Sequence, residues 1–213
     1  MSYEINNRNK VLRAKERGSY DKDTIYKILD AGKICHVGIT MDEQPFVIPM
    51  SYARVSNSII LHGALNSRLC SALLEGIPAC VTVTHLDGLV LARSTFHHSM
   101  NYRSVVAFGT AREIKDQQKK LEAAEALVEF LTPGRTTDCR APNEKELNAT
   151  SIIEFTIEQA SAKVRTGGPL DLKKDLDLDV WAGVVPIEET LGEWIASDDL
   201  KEGINYPDYK KSY

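Results

Sequence analysis

Residues 59–76 read IILHGALNSRLCSALLEG, and this stretch contains the two features that decide the fold. Its first part, up to Ala64, is an apolar run with the length and composition of a β-strand. Asn66 and Ser67 are good N-cap residues, because their side chains accept hydrogen bonds from the unpaired N–H groups at a helix start. Leucines at helical spacing follow as far as Gly76, which suits the end of a helix. The stretch therefore predicts a strand, a tight turn and a short helix.

Most other periodic segments of the chain predict β-strands. These strands are expected at residues 33–40, 46–55, 77–85, 89–97, 105–114, 152–157 and 181–187. The Asp-Gly pair at 87–88 predicts a tight hairpin, because such a turn requires positive φ angles.

Two more helices are predicted, and both are amphipathic. The first runs from Asp21 to Gly32 and the second covers residues 116–131. Helices and strands do not alternate regularly, as they do in a parallel sheet. The fold is therefore predicted to be mainly β, an antiparallel barrel with peripheral helices.

The composition is that of a globular protein with one principal domain. The chain has 213 residues, of which 43% are hydrophobic and 26% charged. We expect an N-terminal arm at 1–20, a domain at 21–187 with a linker-like stretch at 167–179, and a tail at 188–213.

Charge and hydropathy exclude several classes of partner. The net charge of -4 disfavours binding to nucleic acid. No apolar run has the roughly 20 residues that cross a bilayer, and the N-terminus has no signal-peptide core, so a cytoplasmic location is expected.

Motif searches exclude most common enzyme classes and metal centres. The chain contains no G-x-G-x-x-G, Walker, G-x-S-x-G or H-E-x-x-H motif. The four cysteines form no C-x-x-C pair, so neither a disulfide framework nor a zinc site is expected. No metal ligands are predicted.

The start of the helix after residue 66 is the first candidate site. A helix start offers unpaired N–H groups and the positive end of the helix dipole, and here the Ser67 hydroxyl and the Arg68 guanidinium are added. These groups are suited to a phosphate monoester. The alternative is an ordinary helix cap followed by a surface arginine.

Two further segments carry groups that a ligand can use. Residues 97–104 read HHSMNYRS, a polar and basic cluster between apolar segments. Pro49 interrupts a predicted strand and marks a sheet edge, because proline cannot donate to a sheet ladder. A plain surface role and a plain edge strand are the respective alternatives.

Three blocks of the sequence, taken in order, resemble a known family. They read PFVIPMSYARV, IILHGALNSRLCSALLEG and ACVTVTHLDGLVLARSTFHHSMNYRSVVAFGTARE, with SAKVRTGGP and VWAGVVPI following. This pattern is similar to the FMN-binding split-barrel superfamily, in its pyridoxamine 5'-phosphate oxidase-related branch that includes nitroimidazole-resistance proteins. The resemblance covers about residues 25–187.

The resemblance implies an antiparallel Greek-key split barrel of the FMN-binding type, and a homodimer that binds FMN in the clefts between its subunits. It places one strand beside the flavin ring, the HGAL block beside the ribityl chain and phosphate, and a third group near the cofactor, from the same or the partner chain. The residues implied are Pro49, Met50, Ser51, Tyr52, His62, Gly63, Ala64, Ser67, Arg68, Arg103 and Ser104.

The activity expected from the resemblance is that of a small flavin-dependent oxidoreductase, which reduces a nitroaromatic, a quinone or a similar acceptor. Because the cofactor supplies the chemistry, His62 is the one catalytic candidate, and a wall residue is its alternative role. The C-terminal sequence GINYPDYKKSY lacks the Arg-Leu-His-Asp-Arg-like substrate motif of true oxidases, which disfavours oxidation of pyridoxamine phosphate. A non-catalytic flavin-binding module, or a site for haem or a deazaflavin, is the alternative.

Overall fold

The computed structural model describes residues 1–207 and 209, which form one antiparallel sheet of nine strands with four α-helices around it. The mainly antiparallel barrel with peripheral helices that the sequence predicts is confirmed. The strands are Gly18–Ser19 (β1), Ile34–Met41 (β2), Gln44–Ser51 (β3), Ala53–Val55 (β4), Ser58–Ala64 (β5), Ala79–Leu91 (β6), Ser99–Glu113 (β7), Thr150–Arg165 (β8) and Gly183–Pro186 (β9). The helices are Lys22–Ala31 (α1), Arg68–Leu74 (α2), Gln117–Leu131 (α3) and Glu144–Asn148 (α4).

The order of the strands forces the sheet to close on itself. Hydrogen-bonded neighbours follow the order β3-β2-β6-β7-β8-β5-β4, so β3 and β4 lie at opposite ends of the sheet. Only Tyr52 separates these two strands along the chain. Because a connection of one residue spans only about 7 Å, the two ends of the sheet must meet, and the sheet curls into a barrel.

The side chain of Tyr52 holds in place the one-residue connection between β3 and β4, which we call the crossing. It is fully buried, its ring centroid lies 5.2 Å from that of Phe130 in α3, and its hydroxyl donates a hydrogen bond to the carbonyl oxygen of Leu29 in α1. Burial raises the pKa of the Tyr52 hydroxyl well above its usual value, so the group remains a neutral donor. Tyr52 thereby joins the crossing to two helices.

The core follows from the period of two in the strands. In β2, the buried side chains of Cys35, Val37 and Ile39 alternate with more exposed ones. Burial raises the pKa of the Cys35 thiol to about 12, so this cysteine packs as a small hydrophobe.

The helix starts predicted at Asp21 and Asp116 are also found. The carboxylates of these two residues accept backbone hydrogen bonds and cap α1 and α3.

The predicted hairpin at residues 87–88 is wrong. β6 runs without interruption from Ala79 to Leu91 beside β7, and Asp87 is the additional residue of a β-bulge. Gly88 is required for a close approach instead of a turn, since a Cβ atom there would lie 2.9 Å from the carbonyl oxygen of Val185 in β9. The chain turns after Leu91, so the predicted strand at 89–97 is also wrong beyond that residue.

Three other predicted strands have different bounds. The predicted strand at 46–55 is divided by Tyr52 into β3 and β4. The strands predicted at 105–114 and 152–157 are parts of the much longer β7 and β8. Part of the additional length pairs the two strands with each other, with Tyr102–Ser104 of β7 opposite Lys163–Arg165 of β8.

The arm and the linker-like stretch are both attached to the barrel. In the arm, Tyr3 is buried and the Asn9 side-chain amide donates to the carbonyl oxygen of Ala160 at 3.2 Å. In the linker-like stretch, Asp171 forms an ion pair with Arg93, with the Oδ2 and Nη1 atoms 2.8 Å apart. In the predicted tail, residues 208 and 210–213 lie outside the described residues. No helix in the described part of the chain is long and apolar enough to cross a membrane.

Replacement of Tyr52 by phenylalanine tests the role of this crossing. Tyr52→Phe removes a buried hydrogen bond while it keeps the packing, so we expect the free energy of unfolding to fall by about 1 kcal/mol. Urea denaturation measures the change. Tyr206→Phe is the matched control, because the Tyr206 side chain is 73% exposed. If both substitutions lower the free energy of unfolding equally, the buried Tyr52 hydroxyl does not stabilise the connection between β3 and β4.

Candidate cofactor-binding site

The barrel is open along one line, which we call the seam. Its two sides are the outer edge of β3 and residues 61–64 of β5, beyond the point where β4 ends. β4 pairs only with Ser58–Ile60 of β5, and β3 pairs only with β2. β3 and β5 approach each other without forming a ladder among the described strand pairs. The seam therefore offers backbone N–H and C=O groups that have no strand partner.

The start of α2 lies against one side of the seam. A Cβ atom on Gly63 would lie 2.7 Å from the Sγ atom of Cys70, so only glycine allows α2 to pack this closely on β5. The Ser67 hydroxyl caps the helix by accepting a hydrogen bond from the Cys70 N–H at 3.5 Å. Since this bond uses only an acceptor lone pair, the hydroxyl hydrogen remains for a ligand oxygen.

The Arg68 side chain extends to the opposite side of the seam. Its guanidinium lies over the ring of Phe46 in β3, 5.0 Å from the ring centroid. Arg68 is exposed, and none of the described carboxylates forms an ion pair with it. A positive charge is thus held at the seam and is available to an anion.

A buried hydroxyl without a partner lies next to the same helix start. Ser151 in β8 is paired in register with Gly63, and its side chain is 1% exposed. Its Oγ atom has no hydrogen-bond partner among the described residues. An unsatisfied buried polar group is uncommon, because it loses its hydrogen bonds to water without replacement. Ser151 lies beneath the surface, whereas Ser67 and Arg68 reach it and make a donor pair that fits a phosphate ester.

Most of the predicted site residues come together at the seam. In β3, Pro49 is exposed on the edge strand that proline predicts, while Met50 and Ser51 are half-buried. On the other side, His62 and Ala64 are exposed. Tyr52 lies between the two sides, but its side chain is committed to the core. We therefore assign Tyr52 to the scaffold of the site.

Arg103 and Ser104 lie away from the seam within one chain. Both are in β7, which is three strands from β3 in the sheet order. Arg103 forms an ion pair with the carboxylate of Asp87, with the Nη2 and Oδ1 atoms 2.8 Å apart, and this hydrogen bond raises the pKa of the guanidinium. The Ser104 hydroxyl donates to the Lys163 carbonyl oxygen at 3.4 Å. Their predicted contact with a cofactor depends on a partner chain.

Sequence reasoning missed three residues at or near the seam: Phe46, Ser151 and His36. Phe46 and Ser151 reach the site only through strand pairing, which no local pattern reports. His36 is exposed and paired in register with Pro49. The alternation of apolar and polar residues in β2 could have predicted from the sequence that His36 lies on the exposed face. Among residues 1–207 and 209, no three His, Cys, Asp or Glu side chains are grouped so that they could hold a metal ion.

The fold defines a class of protein, the split barrels, in which an antiparallel barrel is not fully closed. A model of the pyridoxamine 5'-phosphate oxidase family matches residues 21–164. The chain belongs to this family, and the resemblance stated from the sequence is confirmed. Among curated proteins, no match is found.

Two similar solved structures cover almost the whole chain. One is the flavocytochrome Anf3 from Azotobacter vinelandii, with 36% identity, a TM-score of 0.89, and coverage of 95% of this chain and 94% of that chain. The other is an FAD and haem binding protein from Mycobacterium smegmatis, with 35% identity, a TM-score of 0.86, and coverage of 90% and 94%.

A more distant structure shares the fold alone. It is a candidate 5-nitroimidazole antibiotic resistance protein from Bacteroides thetaiotaomicron, with 21% identity, a TM-score of 0.57, and coverage of 69% of this chain and 86% of that chain.

The packing of α2 on β5 can be tested with a pair of substitutions. Gly63→Ala places a Cβ atom against the buried Cys70 thiol, so we expect it to destabilise the protein by about 1–3 kcal/mol. Cys70→Ala removes the colliding sulfur, and the double variant should therefore cost less than the sum of the single substitutions. Urea denaturation of the four proteins gives the coupling. Simple additivity would show that α2 does not begin against Gly63.

Proposed function

We propose that this chain is a flavin-binding protein that holds the cofactor along the seam. The observation that carries the proposal is the pair of Ser67 and Arg68 at the start of α2, with the Arg68 guanidinium held over Phe46 on the other side of the seam. In this arrangement the Arg68 guanidinium and the Ser67 hydroxyl bind the flavin 5'-phosphate through charge-assisted hydrogen bonds. The unpaired backbone groups of β3 and β5 face the rest of the cofactor.

The cofactor supplies the redox chemistry when it is bound, because a flavin accepts and releases a hydride or single electrons. The chain's own residues bind and orient it. Pro49, Met50 and Ser51 form the wall beside the ring, and β3 and β5 limit the access of water. Neighbours that bind flavin, at 36% and 35% identity, support this assignment. The phosphate group fits FMN, as predicted from the sequence, and the first phosphate of FAD equally well.

The activity that we propose is reduction of a small acceptor, such as a nitroaromatic or a quinone, by a reduced nicotinamide through the flavin. His62 is the candidate proton donor, because its imidazole is exposed at the seam. The alternative is a non-catalytic flavin module. Oxidation of NADH or NADPH by the flavin-loaded protein distinguishes them: turnover that rises with acceptor concentration supports the reductase, and slow turnover independent of the acceptor supports the module.

We propose that the functional unit is a homodimer. Leu89, Met100 and Val185 are neighbours on β6, β7 and β9, and their side chains are 40%, 50% and 43% exposed. The Trp181 side chain just before β9 is 67% exposed. A contiguous apolar surface of this kind is typical of a protein interface. A partner seated there would bring a second set of β7 side chains, including Arg103 and Ser104, towards a seam.

A haem-binding role is the second candidate function. It is favoured by the flavocytochrome and the FAD and haem binding protein, which resemble this chain over at least 90% of its length. His62 is exposed on β5 at the seam, and His36 is exposed on β2, in register with Pro49 of the adjacent β3; imidazole is a common axial ligand of haem iron.

Addition of haem to the purified protein tests this second role. If a histidine at the seam is the ligand, we expect a sharp Soret band with the wild type and its loss in His36→Ala or His62→Ala. His98→Ala is the control, because His98 is also exposed but lies between β6 and β7. An unchanged band in both seam variants would reject these ligands.

Removal of the Arg68 guanidinium tests the flavin site itself. Arg68→Ala deletes a charge-assisted contact to phosphate, so we expect flavin to bind roughly 10- to 100-fold more weakly. Titration of the apoprotein with FMN, followed by flavin fluorescence, gives the Kd. Arg13→Ala is the matched control, since Arg13 is exposed and pairs with no carboxylate in the described chain. Equal affinities of the wild type and Arg68→Ala would reject the phosphate assignment.

A further inference from the structure

The two ends of the chain carry opposite charges. Residues 8–17 of the N-terminal arm, which we call the basic stretch, hold five basic side chains and one acidic one, a net charge of +4. Residues 188–206 of the tail, which we call the acidic stretch, hold six acidic side chains and one basic one, a net charge of -5. The whole chain carries only -4, so both stretches are charged far more densely than the chain as a whole.

The basic stretch is tied to the barrel in a defined shape. The side-chain amide of Asn9 donates to the carbonyl oxygen of Ala160 at 3.2 Å, and the Val11 N–H donates to the Tyr20 hydroxyl at 2.8 Å. Directly after the stretch, β1 pairs with β8. Four cations of the stretch are exposed and form no ion pair within the described chain, and these are Arg8, Lys10, Arg13 and Lys15. An ordered surface thus presents several available positive charges.

The acidic stretch lies on the surface with little support of its own. Every one of its residues is exposed, it contains no helix or strand, and its carboxylates form no ion pair within the described chain. Six large apolar side chains in it are each at least 46% exposed, and these are Leu191, Trp194, Ile195, Leu200, Ile204 and Tyr206. A segment that exposes apolar groups and unpaired charges together is typical of one that packs on a partner.

Within one chain, the two stretches are held on different elements. The ring centroids of Trp194 and Tyr209 lie 6.4 Å apart, and the Tyr209 hydroxyl donates a hydrogen bond to the carboxylate of Asp138, in the loop after α3. The basic stretch packs instead on β8 and on β7, where the Arg8 guanidinium lies 4.8 Å from the centroid of the Phe108 ring. The two stretches of one chain therefore leave each other's charges unpaired.

Both stretches border the apolar surface that we assign to the homodimer. Only Ile187 separates the acidic stretch from β9, whose Val185 belongs to that surface. Phe108, beneath Arg8, faces the same side of β7 as Met100, because side chains alternate along a strand. These two residues are about 26 Å apart along the strand, and an extended segment as long as the acidic stretch spans up to about 60 Å. The acidic stretch of one copy is therefore long enough to reach the basic stretch of the other.

We infer that the acidic stretch of one copy docks on the basic stretch of a second copy. In a two-fold dimer this contact occurs twice, once with each tail. The opposite charges attract each other, and the Leu12 side chain, which is 74% exposed in the basic stretch, gives the apolar groups of the acidic stretch a contact. This inference rests on the homodimer in the proposed function, and it assigns to both ends of the chain a role in joining the subunits.

Charge reversal of either stretch tests this contact. The arm variant changes the net charge of the basic stretch from +4 to -2 by three substitutions, which are Lys10→Glu, Arg13→Glu and Lys15→Glu. The tail variant changes that of the acidic stretch from -5 to +3 by four substitutions, which are Glu188→Lys, Glu189→Lys, Glu193→Lys and Asp198→Lys. Like charges then face each other in both contacts, so we expect each variant to dimerise at least about tenfold more weakly than the wild type at low ionic strength. Analytical ultracentrifugation gives the dimer Kd.

A mixture of the two variants shows whether the contact joins two copies. In the mixed dimer each acidic segment faces a basic one, so we expect its Kd to return to near the wild-type value. A contact within one chain would not be restored by mixing. The control variant has the same net charge as the arm variant and carries Lys27→Glu, Lys115→Glu and Lys145→Glu. These three lysines are exposed and form no ion pair in the described chain, so its dimer Kd should stay close to that of the wild type.

The outcomes separate this inference from the proposed function. If the arm variant and the control variant dimerise with equal Kd, or if the mixed dimer is as weak as the dimers of the two variants alone, the contact between the stretches is rejected and the proposed homodimer stands. If the wild type is monomeric at every concentration, the proposed homodimer fails and this inference fails with it. Flavin titration of the wild type tests the seam independently of both results.

Discussion

The architecture of this protein depends on one short connection. Tyr52 alone joins β3 to β4, although these strands occupy opposite ends of the sheet order. The sheet has to curl until its ends meet, and the buried Tyr52 hydroxyl, which donates to Leu29, secures the meeting point. Because β4 is only three residues long, closure is incomplete. The barrel therefore keeps an open seam whose position is set by the same residue that closes it.

The properties of the candidate site follow from this geometry. Two strand edges without partners supply backbone groups, and α2, packed closely on β5 at Gly63, adds Ser67 and Arg68 at one end. The Arg68 side chain crosses to Phe46 on the opposite edge, so both sides of the seam contribute to one anion site. A ligand that carries a phosphate and a flat ring system matches this combination of groups.

The sequence predicted the local elements better than their pairing. The helix caps at Asp21 and Asp116, the short helix after Ser67 and the edge strand at Pro49 could be recognised, since each depends on near neighbours. The bulge at Asp87 was mistaken for a hairpin, because an Asp-Gly pair suits a turn and the approach of β9 to Gly88 is a long-range contact. The same limit applies to Phe46 and Ser151, which come close to the site through register and packing. Resemblance to a family supplied the cofactor class, which local patterns could not.

If the seam holds a flavin by its phosphate, the flavin must stay with the protein through purification or after its addition. The absorption spectrum of the freshly purified protein, recorded again after incubation with FMN or FAD and gel filtration, reports whether a flavin stays bound. Binding of a flavin at the seam predicts the two flavin absorption bands in the protein peak, at no more than one flavin per chain. A protein peak that remains colourless after incubation with either flavin would contradict it.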